Sequence, residues 1–237
     1  MLFYYVRHGD PIYDPDSLTP LGERQAEAIG KRLAQYGIDE IYASSSERAK
    51  LTAKPTCEML KKELTELDFC NEIHAWNELT VETPAGKRWL FHSNDAKQLM
   101  TSPEIINMGF NWYQHPEFEK YNFKAGLERI QKEADKLFAS LGYEHIPETG
   151  KYKIIQPNDK RVALFAHQGF GIAFLSLILD IPYPLFASHF DICHTGMSVI
   201  SFEECDGYAI PKVLTHSSDS HLYKEGLPTK YHNSIYF

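Results

Sequence analysis

Arg7 and His8 close a short apolar and aromatic run, Leu2 to Val6, whose composition reads as a buried strand. Arg48 follows a second run of this kind, Ile38 to Ala43, in the first turn of the helix that succeeds it. His167 closes a third, Val162 to Ala166, and is followed by Gln168 and Gly169. All four side chains therefore stand at strand-to-helix junctions. From such junctions they can converge at one edge of the sheet, a concentrated cationic cup in a chain with 24 Lys plus Arg, 32 Asp plus Glu and a net charge of −8. The guest that suits such a cup is a phosphoryl group. A guanidinium offers a planar fork to two phosphate oxygens and stays charged near neutrality. Helices beginning near 47 and 169 would aim free N–H groups the same way.

The elements that must carry these groups alternate between strand and helix. Thr19 and Pro20 mark a helix start, with Leu21, Ala28, Ile29, Leu33 and Tyr36 on one face and Gly37 as the stop. Ser44, Ser45 and Ser46 offer N-caps for a helix over 47–64, with a kink or break at Pro55, and a weaker third strand is expected over 67–73. A helix over 123–141, one hairpin arm over 151–156, a helix over 170–179 and antiparallel strands over 197–202 and 208–214 follow. The tail from His216 to Phe237 is expected to wrap the surface. The pattern predicts a three-layer α/β/α sandwich with a central, mostly parallel sheet, in which ligands bind beyond the carboxyl ends of the strands. The expected organisation is a single domain over 1–237. Residues 80–122, rich in aromatics (Trp89, Phe91, Phe110, Trp112, Tyr113, Phe118, Tyr121) and without a steady period, are expected to be an inserted cap beside the site.

Composition narrows the function. The 237 residues suffice for a real core. An acidic chain is a poor nucleic-acid or anionic-membrane binder, and no apolar stretch approaches the roughly 20 residues a membrane helix needs. Cysteines 57, 70, 193 and 205 make no C-x-x-C pair, and MLFYYVRHG lacks the features of a secretory signal, so a cytoplasmic protein with reduced thiols is expected.

Motif order adds a resemblance. Val6-Arg7-His8-Gly9, then Leu18-Thr19-Pro20-Leu21-Gly22-Glu23-Arg24-Gln25-Ala26, then Ser46-Glu47-Arg48-Ala49 with Thr52-Ala53, then Phe165-Ala166-His167 resemble the histidine phosphatase superfamily, the phosphoglycerate-mutase-like family. Ser198-Val199-Ile200 and Ser220-His221-Leu222 resemble its closing segments. The resemblance implies that His8 is a nucleophile forming a phosphohistidine, and that Arg7, Arg48 and His167 clamp the phosphoryl oxygens. Gln168, beside His167, joins the expected phosphate-binding set. The family places an acid after its third strand, and Trp76-Asn77-Glu78-Leu79 fits, so Glu78 is the expected proton donor, followed by Glu82 and Asp10.

The chain departs from the family after the R-H-G box, where Asp10-Pro11-Ile12-Tyr13 carries no Asn. It departs again at 80–88, where TVETPAGKR replaces an aromatic-Gly-x-Trp-Glu-Gly segment. These departures favour hydrolysis of a small phosphorylated molecule over a mutase-type transfer, with no cofactor and no metal. Two other readings stay open: a metal enzyme using His189, His194, His216, His221 or Asp191, and a phosphate-ester binding module without turnover. The sequence does not set the oligomeric state.

Overall fold

The computed structural model describes residues 1–231. Strand β1 (Leu2–Arg7) runs into a small hairpin of β2 (Pro11–Tyr13) and β3 (Asp16–Leu18), followed by helix α1 (Pro20–Tyr36). The Thr19 hydroxyl accepts from the Gly22 N–H, and Gly37, at φ 74°, closes α1 in the left-handed region as its lack of a Cβ permits. Next come β4 (Glu40–Ser44), α2 (Glu47–Leu60), β5 (Leu64–Leu67) and α3 (Glu72–Glu78). The strand expected over 67–73 is thus a strand that ends at Leu67. Asn71 caps α3 through its side chain, which accepts from the Ile73 N–H, and an Asx cap of this kind favours the helix over a longer strand. Helix α2 also ends early, at Leu60, and continues through Pro55.

Residues 80–122 form the hairpin β6 (Thr80–Thr83) and β7 (Gly86–Trp89) and the short helices α4 (Asn94–Met100), α5 (Pro103–Met108) and α6 (Pro116–Glu119). Much of their aromatic content is structural. Trp112, 1% exposed, stacks on Phe123 and Tyr183 with ring centroids 5.2 and 5.5 Å apart. Beyond them lie α7 (Phe123–Ser140), β8 (Tyr143–Ile146), β9 (Lys151–Ile154), β10 (Arg161–Ala166), α8 (Gln168–Ile178), α9 (Tyr183–His189), β11 (Met197–Cys205), β12 (Tyr208–Ser218) and α10 (Ser220–Lys224). The tail therefore begins as the end of β12 and a short helix. The part of the expected surface wrap over 232–237 lies outside the described residues.

Eight strands form the central sheet in the order β5-β4-β10-β1-β11-β12-β9-β8. β5, β4, β10 and β1 are mutually parallel, and from β1 onward every pairing is antiparallel. The period-two alternation of a strand separates the two cores. Phe3, Tyr5, Val162 and Leu164 pack on one face with α7 and α8. Tyr4, Val6, Ala163 and Phe165 pack on the other with Ile29 and Leu33 of α1 and Ala53 of α2.

One buried charge cluster ties this scaffold together. His145 lies 3.0 Å from Asp135 and 3.1 Å from Asp180, and its ring stacks on Tyr152. Burial opposes its charge, but the hydrogen bonds and attraction of Asp135 and Asp180 outweigh that, and its pKa rises to about 9. A base whose pKa is raised by folding contributes stability that is whole below its unfolded value near 6.5 and is lost as pH climbs through the folded value. The melting temperature of the wild type is thus expected to fall relative to a His145→Gln variant between pH 6.5 and 9, read by circular dichroism. Parallel pH curves for the two proteins would contradict this.

Candidate active site

The motif residues hold the end of β1 rigidly. The Gly9 N–H donates to the Thr52 hydroxyl at 3.0 Å and the Asp10 N–H to the Gln25 side-chain oxygen at 2.8 Å. Gly22 approaches so closely that a Cβ there would lie 2.2 Å from the Asp10 carbonyl oxygen. These contacts explain why a helix start spelled Leu-Thr-x-x-Gly-x-x-Gln and a Thr four residues after Arg48 accompany the R-H-G box: each residue fixes the loop that presents His8.

His8 is 1% exposed. Its Nδ1 lies 2.7 Å from the Gly9 carbonyl oxygen. A carbonyl only accepts, so Nδ1 carries the proton and Nε2 keeps its lone pair. Burial first, then His167, Arg7 and Arg48, push the His8 pKa well below the ordinary imidazole value, so the ring is neutral near pH 7. Its ring centre is 5.2 Å from that of His167 and 5.9 Å from that of His194.

Arg7, 1% exposed, donates from Nη1 to the Ile192 carbonyl at 2.6 Å, and its Nη2 lies 2.9 Å from His194 Nε2. Arg48 donates to Asp16 at 2.8 Å and lies 3.6 Å from Glu72. His167 is fully buried. Its Nε2 meets the Ser44 and Ser46 hydroxyls at 2.8 and 3.3 Å, and burial, Arg48 and Arg7 hold its pKa well below the usual value. The serines read as helix caps thus do another job: Ser46 sits at the N-cap of α2 without capping it through its side chain. Among the described residues, Arg7 Nε, Arg48 Nε and His167 Nδ1 are buried without a hydrogen-bond partner, a costly condition for polar atoms.

The structure brings together Arg7, His8, Arg48 and His167, and it places Glu78, the expected proton donor, outside that group. Glu78 is clasped by Arg129 of α7, with three nitrogen–oxygen contacts of 2.6 to 3.1 Å. Glu72 is the carboxylate in the cup: a carboxylate oxygen of Glu72 and one ring nitrogen each of His8 and His167 lie within 4.8 Å of one another. The reason is helical phase. At roughly 100° per residue, six residues along α3 turn the two glutamates to different sides, one toward α8 and one toward α7. Glu72 Oε1 accepts from the Gly169 and Phe170 N–H groups at 2.8 and 3.4 Å. Burial raises its pKa above the ordinary carboxyl value, partly opposed by Arg48, Arg7 and those N–H groups. Glu82 lies exposed on β6 opposite Lys87. Asp10 accepts from Thr19 at 2.7 Å and lies 3.4 Å from His194. The side-chain amide of Gln168 is bound to Asp191, which leaves its place in the cup to its backbone position at the start of α8. His194 was missed as a member of this group; its only sequence signal is that it precedes an antiparallel strand that starts beside β1.

His8, Glu72 and His167 also have the spacing of three metal ligands, but Arg7 and Arg48 place two positive charges beside them, which favours an anion over a cation. His216 is bonded to Ser198 and to the Asp191 carbonyl, and His221 to Thr195.

Comparison with known proteins agrees with the motifs. A family model of the histidine phosphatase superfamily (branch 1) matches residues 3–105, and the resemblance read from the motif order is to this superfamily. The chain is 30% identical over 128 residues to the mitochondrial serine/threonine-protein phosphatase Pgam5 of Drosophila sechellia and of Drosophila melanogaster, a stretch covering 50% of this chain and 43% of theirs. The chain thus matches less than half the length of these relatives. Its fold is similar to that of an Entamoeba histolytica phosphoserine phosphatase (TM-score 0.61, 16% identity, 93% of this chain and 98% of that one). It is similar too to a mycobacterial glucosyl-3-phosphoglycerate phosphatase (TM-score 0.59, 14% identity, 92% and 99%). The mixed α/β fold is therefore shared with these phosphatases. Among the described residues no helix is long and apolar enough to cross a membrane.

Proposed function

We propose that the protein hydrolyses phosphate monoesters through a phosphohistidine on His8. The observation that carries this reading is a neutral imidazole, its tautomer fixed by the Gly9 carbonyl, beside the buried Arg7 guanidinium and the half-buried one of Arg48. Arg7, Arg48 and His167 grip the equatorial oxygens, and Arg7 Nε, Arg48 Nε and His167 Nδ1 have no hydrogen-bond partner among the described residues. His8 Nε2 forms a bond to phosphorus as the ester P–O bond breaks, and the leaving oxygen takes the proton of Glu72. The Glu72 carboxylate then removes a proton from water, whose oxygen displaces His8 and releases inorganic phosphate. The transition state is loose and charge-rich, so fixed donors supply most of the acceleration. Two features support hydrolysis over transfer to a second alcohol: the absence of the family's aromatic-Gly-x-Trp-Glu-Gly segment and the phosphatase names of the relatives. Residues 80–122 act as the substrate-determining wall, and the free thiols of Cys57, Cys70, Cys193 and Cys205 fit a reducing, cytoplasmic setting.

Mixing the protein with excess 32P-labelled phenyl phosphate and quenching within milliseconds is expected to trap a label that is stable to alkali, lost in acid and located on the peptide containing His8. Turnover without such a label, or a label on a carboxylate, would overturn the nucleophile. Neither turnover nor label would leave a binding module.

A further inference from the structure

Arg48 and Glu72 of the cup also line a cavity of about 910 Å³. That lies within the roughly 300–1,000 Å³ typical of sites for whole small molecules, so a phosphoryl group fills only its floor. Arg48 and Glu72 stand at the floor, and the wall carries Lys87 and Arg88 of β7, Lys97 of α4, and the indoles of Trp76 and Trp89. The charge balance is lopsided: four Lys or Arg against one carboxylate, in a chain whose net charge is −8. Arg48 is already matched by Asp16 and Glu72. Lys87, Arg88 and Lys97 make no ion pair within 4 Å among the described residues, with Glu82 standing opposite Lys87 in the β6–β7 pairing. Lys87 also has an apolar backing. Lys87 Nζ lies 5.7 Å from the Trp76 ring centre, Trp76 and Trp89 meet edge to face at 5.1 Å, and Trp89 is seated so tightly on the start of α8 that a Cβ on Gly169 would come within 2.5 Å of it.

We propose that the substrate is a small phosphomonoester bearing a second anionic group, held by Lys87, Arg88 and Lys97, with its apolar body against Trp76 and Trp89. The proposal rests on the phosphatase reading of the same pocket. A second anion balances what three unmatched cations leave over, and an organic spacer fills the volume between the floor and the wall. A phosphonate or a carboxylate would serve the same charge requirement.

The test compares phenyl phosphate with analogues carrying a phosphonate or a carboxylate at the para position, on one-carbon and four-carbon arms, so that the cleaved ester stays constant. For the wild type, kcat/KM is expected to be at least about tenfold higher for one of the bis-anionic esters than for phenyl phosphate, and the advantage to shrink as salt is added. The ratio is expected to approach one in Lys87→Ala/Arg88→Ala/Lys97→Ala, whose substituted side chains are all exposed. A carboxylate arm that matches the phosphonate arm identifies charge alone as the determinant; a phosphonate preference identifies a second phosphate. A ratio near one for every arm in the wild type, or a ratio untouched in the triple variant, would overturn the proposal while phenyl phosphate turnover left the phosphatase reading standing. Faster turnover of an acidic phosphoserine peptide than of any bis-anionic aryl ester would overturn it too. Loss of phenyl phosphate turnover altogether would refute the underlying reading, and with it the proposal.

Discussion

His8→Ala is expected to lower the turnover of phenyl phosphate by at least about 10⁴, because removing the nucleophile removes the covalent route and leaves only the clamp. The fold is expected to survive. Among the described residues His8 makes one side-chain hydrogen bond, to its own neighbour Gly9, while β1 is held by its pairing with β10 and β11 and the loop by Thr52 and Gln25. The far-ultraviolet circular dichroism spectrum should therefore match that of the wild type. Binding of inorganic phosphate, read by calorimetry, should persist, since Arg7, Arg48 and His167 remain. Turnover within tenfold of wild type would show that another group attacks phosphorus. A burial-lowered imidazole also sets the acid side of the profile: the neutral ring is retained well below pH 6.5, so the acid limb of kcat/KM is expected below the usual histidine range.

Glu72→Gln gives the second large effect, and it depends on the leaving group. An alkoxide needs a proton as the P–O bond breaks, whereas p-nitrophenolate leaves without one. The variant is thus expected to lose about 10²–10⁴ in kcat with an alkyl phosphate and far less with p-nitrophenyl phosphate. Glu78→Gln, which removes a charge matched to Arg129 on α7, is expected to leave both rates within about twofold. An inverted result, with Glu78→Gln impaired on the alkyl ester and Glu72→Gln intact, would restore the acid first read from the sequence. The raised pKa of Glu72 has a sign as well. The proton donor is present below that pKa and is lost as pH rises through it, so alkyl ester turnover should decline on that limb while the p-nitrophenyl ester declines less.

The four basic groups were legible because Arg7, His8 and His167 close strand-like runs, Arg48 opens the helix after another, and these strands are mutually parallel, which sends their carboxyl ends to one edge. Glu72 was illegible for a local reason. Leu67, Phe69 and Ile73 suggest a strand passing through it, whereas the strand ends at Leu67 and Asn71 starts a helix; with the boundary in its true place, Asn71-Glu72 is the start of the junction helix. His194 was hidden by topology. β11 is antiparallel to β1, so its beginning, not its end, lies at the edge where β1 stops, and Ile192 and His194 just ahead of it reach Arg7. The wall of Lys87, Arg88 and Lys97 left no periodic signal, because those residues belong to a hairpin and a short helix that only the tertiary fold brings together. The aromatics of 80–122 were divided by packing: Trp112 and Phe118 went to the core and Trp89 to the cavity.

Strand β1 has no early neighbour. Its two partners, Arg161–Ala166 and Met197–Ser201, are made some 160 and 200 residues later, and at a synthesis rate of about 5–20 residues per second the first strand waits on the order of ten to thirty seconds for β10. Throughout that interval Phe3, Tyr4, Tyr5 and Val6, all buried in the finished protein, have no sheet to enter. His8 is thus synthesised long before the strands that enclose it, and the nascent chain carries a sticky aromatic segment that must be shielded until its mates emerge.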